Sequence, residues 1–372
     1  MSRQKMNLNN HGKYLAPALL FGSLVLLLLA GIANAQHKPL PPAPPPPHYK
    51  PKPTPTPTPI PVADIDVVRI NSNLVMVPVS VVDTKGDPVH GLQLSDFRLE
   101  EQGRQQEISQ IGNPEEVPLE IALLVDVSGS TNARFSFEKE AAASFLKSVL
   151  KPADRATVYM IDRSPVLKLA AAKADDASVG VRSIEPALDK GPTAFFDTVV
   201  EAAQYLDKNT PAQHRRVILV ISDGVDNFSD RVKKTIGATR EEQEAVGPAA
   251  RQKINDRELA EVQREVQKAD AVFYSINPAG ETMHLNIITK RGQDGMLQIA
   301  EATGGNAFVP DQGENLDPVF KQIAAELRGQ YLLQYYSNSQ TGGVEFRKIA
   351  VSVPTRTDAR VRARQGYYPK TK

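Results

Sequence analysis

Cysteine is absent from the 372-residue chain. That excludes disulfide staples, zinc–thiolate sites, thiol catalysis and a lipid-modified cysteine together. An excess of charge of one sign is also missing: 44 Lys and Arg stand against 43 Asp and Glu, a formal +1, with no basic block. Such a chain has no cationic face to neutralise a run of phosphates, which argues against nucleic acid as a partner. The six histidines form neither a His-Glu-x-x-His motif nor a pair at helical spacing. His11, His37 and His48 fall in the N-terminal segments, and His90, His214 and His284 are expected on the surface or in loops. There is no Gly-x-Ser-x-Gly nucleophile elbow and no internal repeat period. Hydrophobic residues make up 41% of the chain, enough for one good core and a second small one.

The N-terminus reads as an export signal. Arg3, Lys5 and Lys13 precede an apolar stretch from Leu15 to Ala33, and Ala33-Asn34-Ala35 offers a small-x-small cleavage site before Gln36. The protein is therefore expected in the periplasm, cell envelope or secreted space. The alternative is an anchor made by residues 15–33, which nearly suffice to span a bilayer. Lys38–Pro61 holds nearly half of the chain's 29 prolines. Such a segment stays extended at about 3.1 Å per residue and acts as a stiff spacer.

The remaining chain divides by pattern. Residues 62–117 look all-β, with strands expected at Asn73–Val82, Phe97–Glu100 and Gln106–Ile111 around turns at Asp83–Pro88 and Gln102-Gly103. Residues 330–372 are again β-like at Tyr331–Tyr336, Val344–Val353 and Ala359–Tyr367. Each set is too small to close a sandwich alone, so both ends of the chain are expected to build one together. Between them, residues 118–329 alternate continuous apolar strands with amphipathic helices. That pattern predicts an α/β fold, a doubly wound, mostly parallel sheet with helices on both faces. Helices are expected at Phe135–Leu150, Thr193–Asp207, Arg257–Ala269, Gly295–Ala302 and Leu316–Leu327. The resulting domains are a signal (1–35), a Pro-rich linker (36–61), the α/β domain (118–329), and a small β-sandwich split between 62–117 and 330–372.

Pro118–Ser130 reads PLEIALLVDVSGS: an apolar run that stops at Asp126, then Ser128 and Ser130. No apolar core needs a carboxylate and two hydroxyls at a strand end, whereas a hard divalent cation takes compact oxygen ligands. In a doubly wound sheet ligands bind at the carboxyl ends of the strands. Thr193, in Gly191-Pro192-Thr193 before a helix, and Asp223, after the strand Arg216–Ile221, fall at such ends. Asp126, Ser128, Ser130, Thr193 and Asp223 together supply two carboxylates and three hydroxyls, a set suited to Mg²⁺ and also open to Mn²⁺ or Ca²⁺. Asp226 and Asn227 lie close enough in sequence to rim this site, although such residues more often cap or turn a loop.

Asp126-Val127-Ser128-Gly129-Ser130 resembles the Asp-x-Ser-x-Ser of von Willebrand factor type A domains, whose metal-ion-dependent adhesion site is completed by a threonine and an aspartate. Thr193 and Asp223 occupy matching places in the same order. The resemblance implies that Ser128, Ser130 and Thr193 coordinate directly, that Asp126 and Asp223 act largely through water, and that a partner's Asp or Glu supplies the last ligand. VVDTKGDPVHGLQLSDFRLEEQG and FRKIAVSV…ARQGYY further resemble a bacterial exported subgroup. The function implied is metal-dependent protein binding or adhesion, and no enzyme. A scaffold whose metal site is only structural is the rival. A phosphatase with a nucleophilic Asp126 would need a second carboxylate where Ser128 stands. The charged stretch from Asn227 to Asp256 either shapes the ligand site or is a solvated insertion.

Overall fold

The computed structural model describes residues 74–128, 132–187, 191–237, 239–280, 287–311, 315–338 and 345–370. The segment expected to be an export signal, the Pro-rich stretch and Ser130 lie outside the described residues. In chain order the strands and helices are β1 (Leu74–Val82), β2 (Arg98–Glu101), β3 (Arg104–Gln106), β4 (Ile108–Gly112), β5 (Leu119–Asp126), α1 (Asn132–Val149), β6 (Arg155–Ile161), β7 (Pro165–Ala172), α2 (Ala174–Arg182), α3 (Phe195–Asn209) and β8 (Arg215–Ile221). There follow α4 (Asp230–Ile236), α5 (Arg240–Ala245), α6 (Pro248–Lys268), β9 (Ala271–Ile276), α7 (Ile287–Thr303), β10 (Asn306–Phe308), α8 (Asp317–Gly329), β11 (Tyr331–Tyr336), β12 (Arg347–Ser352), β13 (Arg360–Ala363) and β14 (Gly366–Tyr367).

Central strands buried on both faces should be apolar at every position, and β8 and β9 are buried along their whole length. They belong to a six-stranded sheet ordered β10-β9-β8-β5-β6-β7. All its pairings are parallel except β6–β7, which is an antiparallel hairpin at the edge. Alternate residues of β5 face opposite layers. Ile121, Leu123 and Val125 pack with α1, α2 and α8. Ala122 and Leu124 pack with α3, α6 and α7. Full burial of one such leucine stabilises by roughly 1.5–3 kcal/mol. From β5 the chain goes to β6 on one side, then returns to β8 on the other. The carboxyl ends of β5 and β8 are thus the switch point, where loops diverge and leave a crevice.

Both ends of the chain build two four-stranded antiparallel sheets, β13-β1-β11-β4 and β14-β12-β2-β3. Val75, Val77, Val79 and Val81 alternate inward from β1 and share one core with Leu99, Leu333, Tyr335 and Ile349. Two stretches expected as single strands are each two. Gln106–Ile111 breaks at Glu107, sending β3 to one sheet and β4 to the other, and Ala359–Tyr367 divides the same way into β13 and β14. Strands that switch sheets form the corners of a sandwich, and alternation alone does not show them. The sandwich is tied to the α/β layer by polar contacts. Arg362 on β13 lies 2.6 Å from the fully buried Glu326 of α8, and Arg364, just after β13, pairs with Asp270 just before β9. Among the described residues, no helix is long and apolar enough to cross a membrane.

The stretch from Asn227 to Asp256 contains α4, α5 and the first turns of α6, which begins at Pro248 rather than near Arg257. Pro248 occupies the first turn, where its missing N–H costs nothing. Thr239 and Glu242 form a reciprocal capping box on α5. The insertion is therefore helical, with α4 packed on α6 through Val232 in the core.

Candidate metal centre

Asp126 is the last residue of β5, so its carboxylate emerges where the sheet opens. Its Oδ1 accepts from the Ser128 backbone N–H at 2.9 Å and from the Ser128 hydroxyl at 2.6 Å. Its Oδ2 accepts from the Ser222 hydroxyl at 2.7 Å. Burial pushes the Asp126 carboxyl up to about 6, against the pull of these hydrogen bonds, and nearby Asp223 adds to the rise. No cationic side chain pairs with Asp126 among the described residues.

Thr193 joins this group from a second loop. It stands two residues before α3, whose N-cap is Ala194, so its hydroxyl does not cap the helix as its position at a helix start suggests. Instead the hydroxyl donates to the Ser128 Oγ at 2.9 Å. The cap comes from the loop after β8: the Asp226 Oδ1 accepts from Phe196 N–H at 2.9 Å and the Ser229 Oγ from Asp197 N–H at 3.0 Å. Asn227 grips Thr193 on both sides, its Oδ1 accepting from Thr193 N–H at 2.6 Å while its own N–H donates to the Thr193 carbonyl at 3.1 Å. Asp226 and Asn227 thus hold the Thr193 loop through backbone groups. Burial also pushes the Asp226 carboxyl up to about 6, and Asp197 contributes.

Asp223 follows β8 and turns through its own side chain, with Val225 N–H donating to its Oδ1 at 3.0 Å. Gly224 adopts φ +74°, a conformation that favours glycine. A Cβ on Gly292 of α7 would stand 2.7 Å from the Asp223 carbonyl oxygen, so both glycines are needed for α7 to seat this loop. Hydroxyls and carboxylates from three loops are therefore linked: Thr193 donates to Ser128, Ser128 to Asp126, and Ser222 to Asp126. Of the five residues expected at the site, the structure joins Asp126, Ser128 and Thr193 by hydrogen bonds and sets Asp223 close enough to raise Asp126 electrostatically. Ser222 was missed by sequence reasoning. Its signal is a small hydroxyl residue between an apolar strand and a carboxylate, at a position where full burial demands a partner.

This donor set fits a hard cation. Among the described residues it offers carboxylate and hydroxyl oxygens, no side-chain nitrogen or sulfur, and an anionic centre lacking a counter-charge. No group of three or more His, Asp or Glu close enough for a metal occurs among the described residues, so a cation here must draw on hydroxyls.

A family model for the von Willebrand factor type A domain matches residues 121–225, which run from β5 to just past Asp223. Over those residues the chain is similar to the von Willebrand factor type A domain. No curated protein matches it by sequence. Among solved structures, it is similar to an aerotolerance-related membrane protein from Bacteroides fragilis (18% identity, 56% of this chain and 98% of that one, TM-score 0.36). It is similar also to BatB from Bacteroides thetaiotaomicron (15% identity, 56% and 97%, TM-score 0.39). A third is proximal thread matrix protein 1 from the mussel byssus, solved with a zinc-occupied adhesion motif (14% identity, TM-score 0.42). The match covers 62% of this chain and 50% of that one. The matched residues supply β5, β6, β7 and β8 of the six-stranded sheet.

Proposed function

We propose that this protein is an exported binding module that grips a partner's carboxylate through Mg²⁺ at Asp126, Ser128, Ser130, Thr193 and Asp223. The observation that carries the reading is the convergence of hydroxyls and carboxylates from three loops on Asp126, with no side-chain cation among the described residues to balance it. Ser128 and Thr193 would bind the cation through neutral oxygens, while Asp126 supplies charge and fixes the Ser128 hydroxyl. A cation held by few anionic ligands stays attractive to an incoming carboxylate. Ser222, Asn227 and Gly292 are positioning residues that hold the three loops.

The reading is one of binding and not catalysis: no general base other than the site carboxylates stands in this set. The rival is an envelope scaffold whose metal only stabilises the fold. Cross-linked capture from native envelope extract separates them, with Thr193→Ala as control. The binding module predicts partners retained in Mg²⁺, released by chelator and lost in the variant. Capture that ignores both chelator and variant would favour the scaffold.

A further inference from the structure

At the opposite end of the sheet from the metal centre, a cleft of about 540 Å³ opens between the sandwich and the α/β layer. Its walls are the turn after β1, the start of β10, the middle of α8 and the approach to β13. Asn306 is the first residue of the parallel strand β10, which puts the cleft at the amino ends of the strands. The turn is seated on α8 at Gly86, where a Cβ would meet the Gln322 Nε2 at 2.9 Å.

The lining chemistry is selective. The side chains of Lys85 and Arg360 are exposed into the cleft and have no hydrogen-bond or ion-pair partner among the described residues. Arg362 is neutralised by Glu326 and carries no spare charge. The two carboxylates are held in place by other groups. The Asp83 Oδ1 accepts from Lys85 N–H at 2.8 Å and Asp87 N–H at 3.0 Å. Asp358 takes both Arg356 nitrogens, at 3.0 and 3.1 Å. Each keeps lone pairs for a hydroxyl donor. Thr84, Asn306 and Gln322 add neutral polar groups. Among the described residues, no aromatic side chain lines the cleft, and its apolar side chains are Val82 and Ala359. A nucleobase or lipid would find nothing to stack on or bury against.

We propose that this cleft binds an acidic saccharide, its anionic group between Lys85 and Arg360 and its hydroxyls on Asp83, Asp358, Asn306 and Gln322. The volume suits one or two sugar units, and the mixed donors and acceptors match a polyhydroxyl ligand with one negative group. The site shares no residue with the metal centre, so it stands or falls separately from the binding module.

The test is calorimetry and saturation-transfer NMR on the full chain with galacturonate and glucose 6-phosphate, against galactose and glucose. At least one acidic sugar should bind, with its neutral counterpart weaker by about tenfold or more. The doubly substituted Lys85→Ala/Arg360→Ala protein should lose about the same factor while unfolding at the same temperature, because both side chains are exposed and unpartnered. Binding by only one of the two acidic sugars would assign the anion as carboxylate or phosphate. Absence of binding, equal binding of neutral sugars, or undiminished binding to the double variant would overturn the proposal.

Discussion

Glu101 and Asp126 both end a strand with a carboxylate facing inward, one in the sandwich and one at the metal face. Glu101 is 3% exposed and accepts from the hydroxyls of Tyr335 at 2.6 Å, Ser337 at 2.8 Å and Tyr367 at 3.2 Å. The Arg347 guanidinium stands 3.7 Å away on the neighbouring strand β12, so charge meets charge within one sheet while the Tyr335 hydroxyl reaches in from the other. Asp126 has hydroxyl donors of the same kind and no guanidinium, and its carboxyl is pushed up to about 6. Both regions bury hydroxyl–carboxylate networks. Among the described residues only the sandwich closes its network electrically, which separates a fastener from a cluster left open to a cation.

Replacement of each carboxylate should sharpen that contrast most. Glu101→Ala leaves Arg347 and three hydroxyls facing a void and should cost about 3–5 kcal/mol by chemical denaturation. In metal-free buffer at pH 7.5, Asp126→Asn should cost nothing, because it removes a charge that burial disfavours. An equal loss in both variants would erase the distinction.

Asp226 gives the next effect, through pH. Its carboxyl is raised from 3.8 to about 6 in the folded protein. The folded state therefore holds a proton that the unfolded state releases. The stability contributed is fully present below about 3.8 and is lost as pH rises through about 6. Asp226→Asn should gain on the wild type by up to roughly 3 kcal/mol between pH 4 and pH 7. A constant difference across that range would show that the Asp226 carboxyl titrates alike in the folded and unfolded chain.

Gly292→Ala is expected to cost about 1–3 kcal/mol by pressing on the Asp223 carbonyl, and to weaken Mg²⁺ binding at the same time. Lost stability with unchanged Mg²⁺ affinity would detach α7 from the site.

What was legible in the sequence follows from where each constraint lies. β8 runs over Arg215–Ile221 where a strand at Arg216–Ile221 was expected, because a strand buried on both faces is apolar nearly throughout and stops where burial stops. Asp126, Ser128 and Thr193 were visible because carboxylates and hydroxyls at strand ends have no packing role. The two sheet-switching strands were not, since the inward–outward alternation continues through the corner while the partner strand changes. The early start of α6 was hidden for another reason. Its first turns are charged and exposed, and the apolar spacing begins only near Val262. The helix α2 escaped notice because only Ala177, Ser178 and Val181 are buried, too short a stripe to stand out.

The account rests on a cation completing the metal face, and calorimetric titration of Mg²⁺ into the full chain tests it most directly. Wild type should bind with millimolar or better affinity, and Asp126→Ala should show no binding. Equal Mg²⁺ binding by that variant would contradict the assignment of the oxygens around Asp126 as a metal centre.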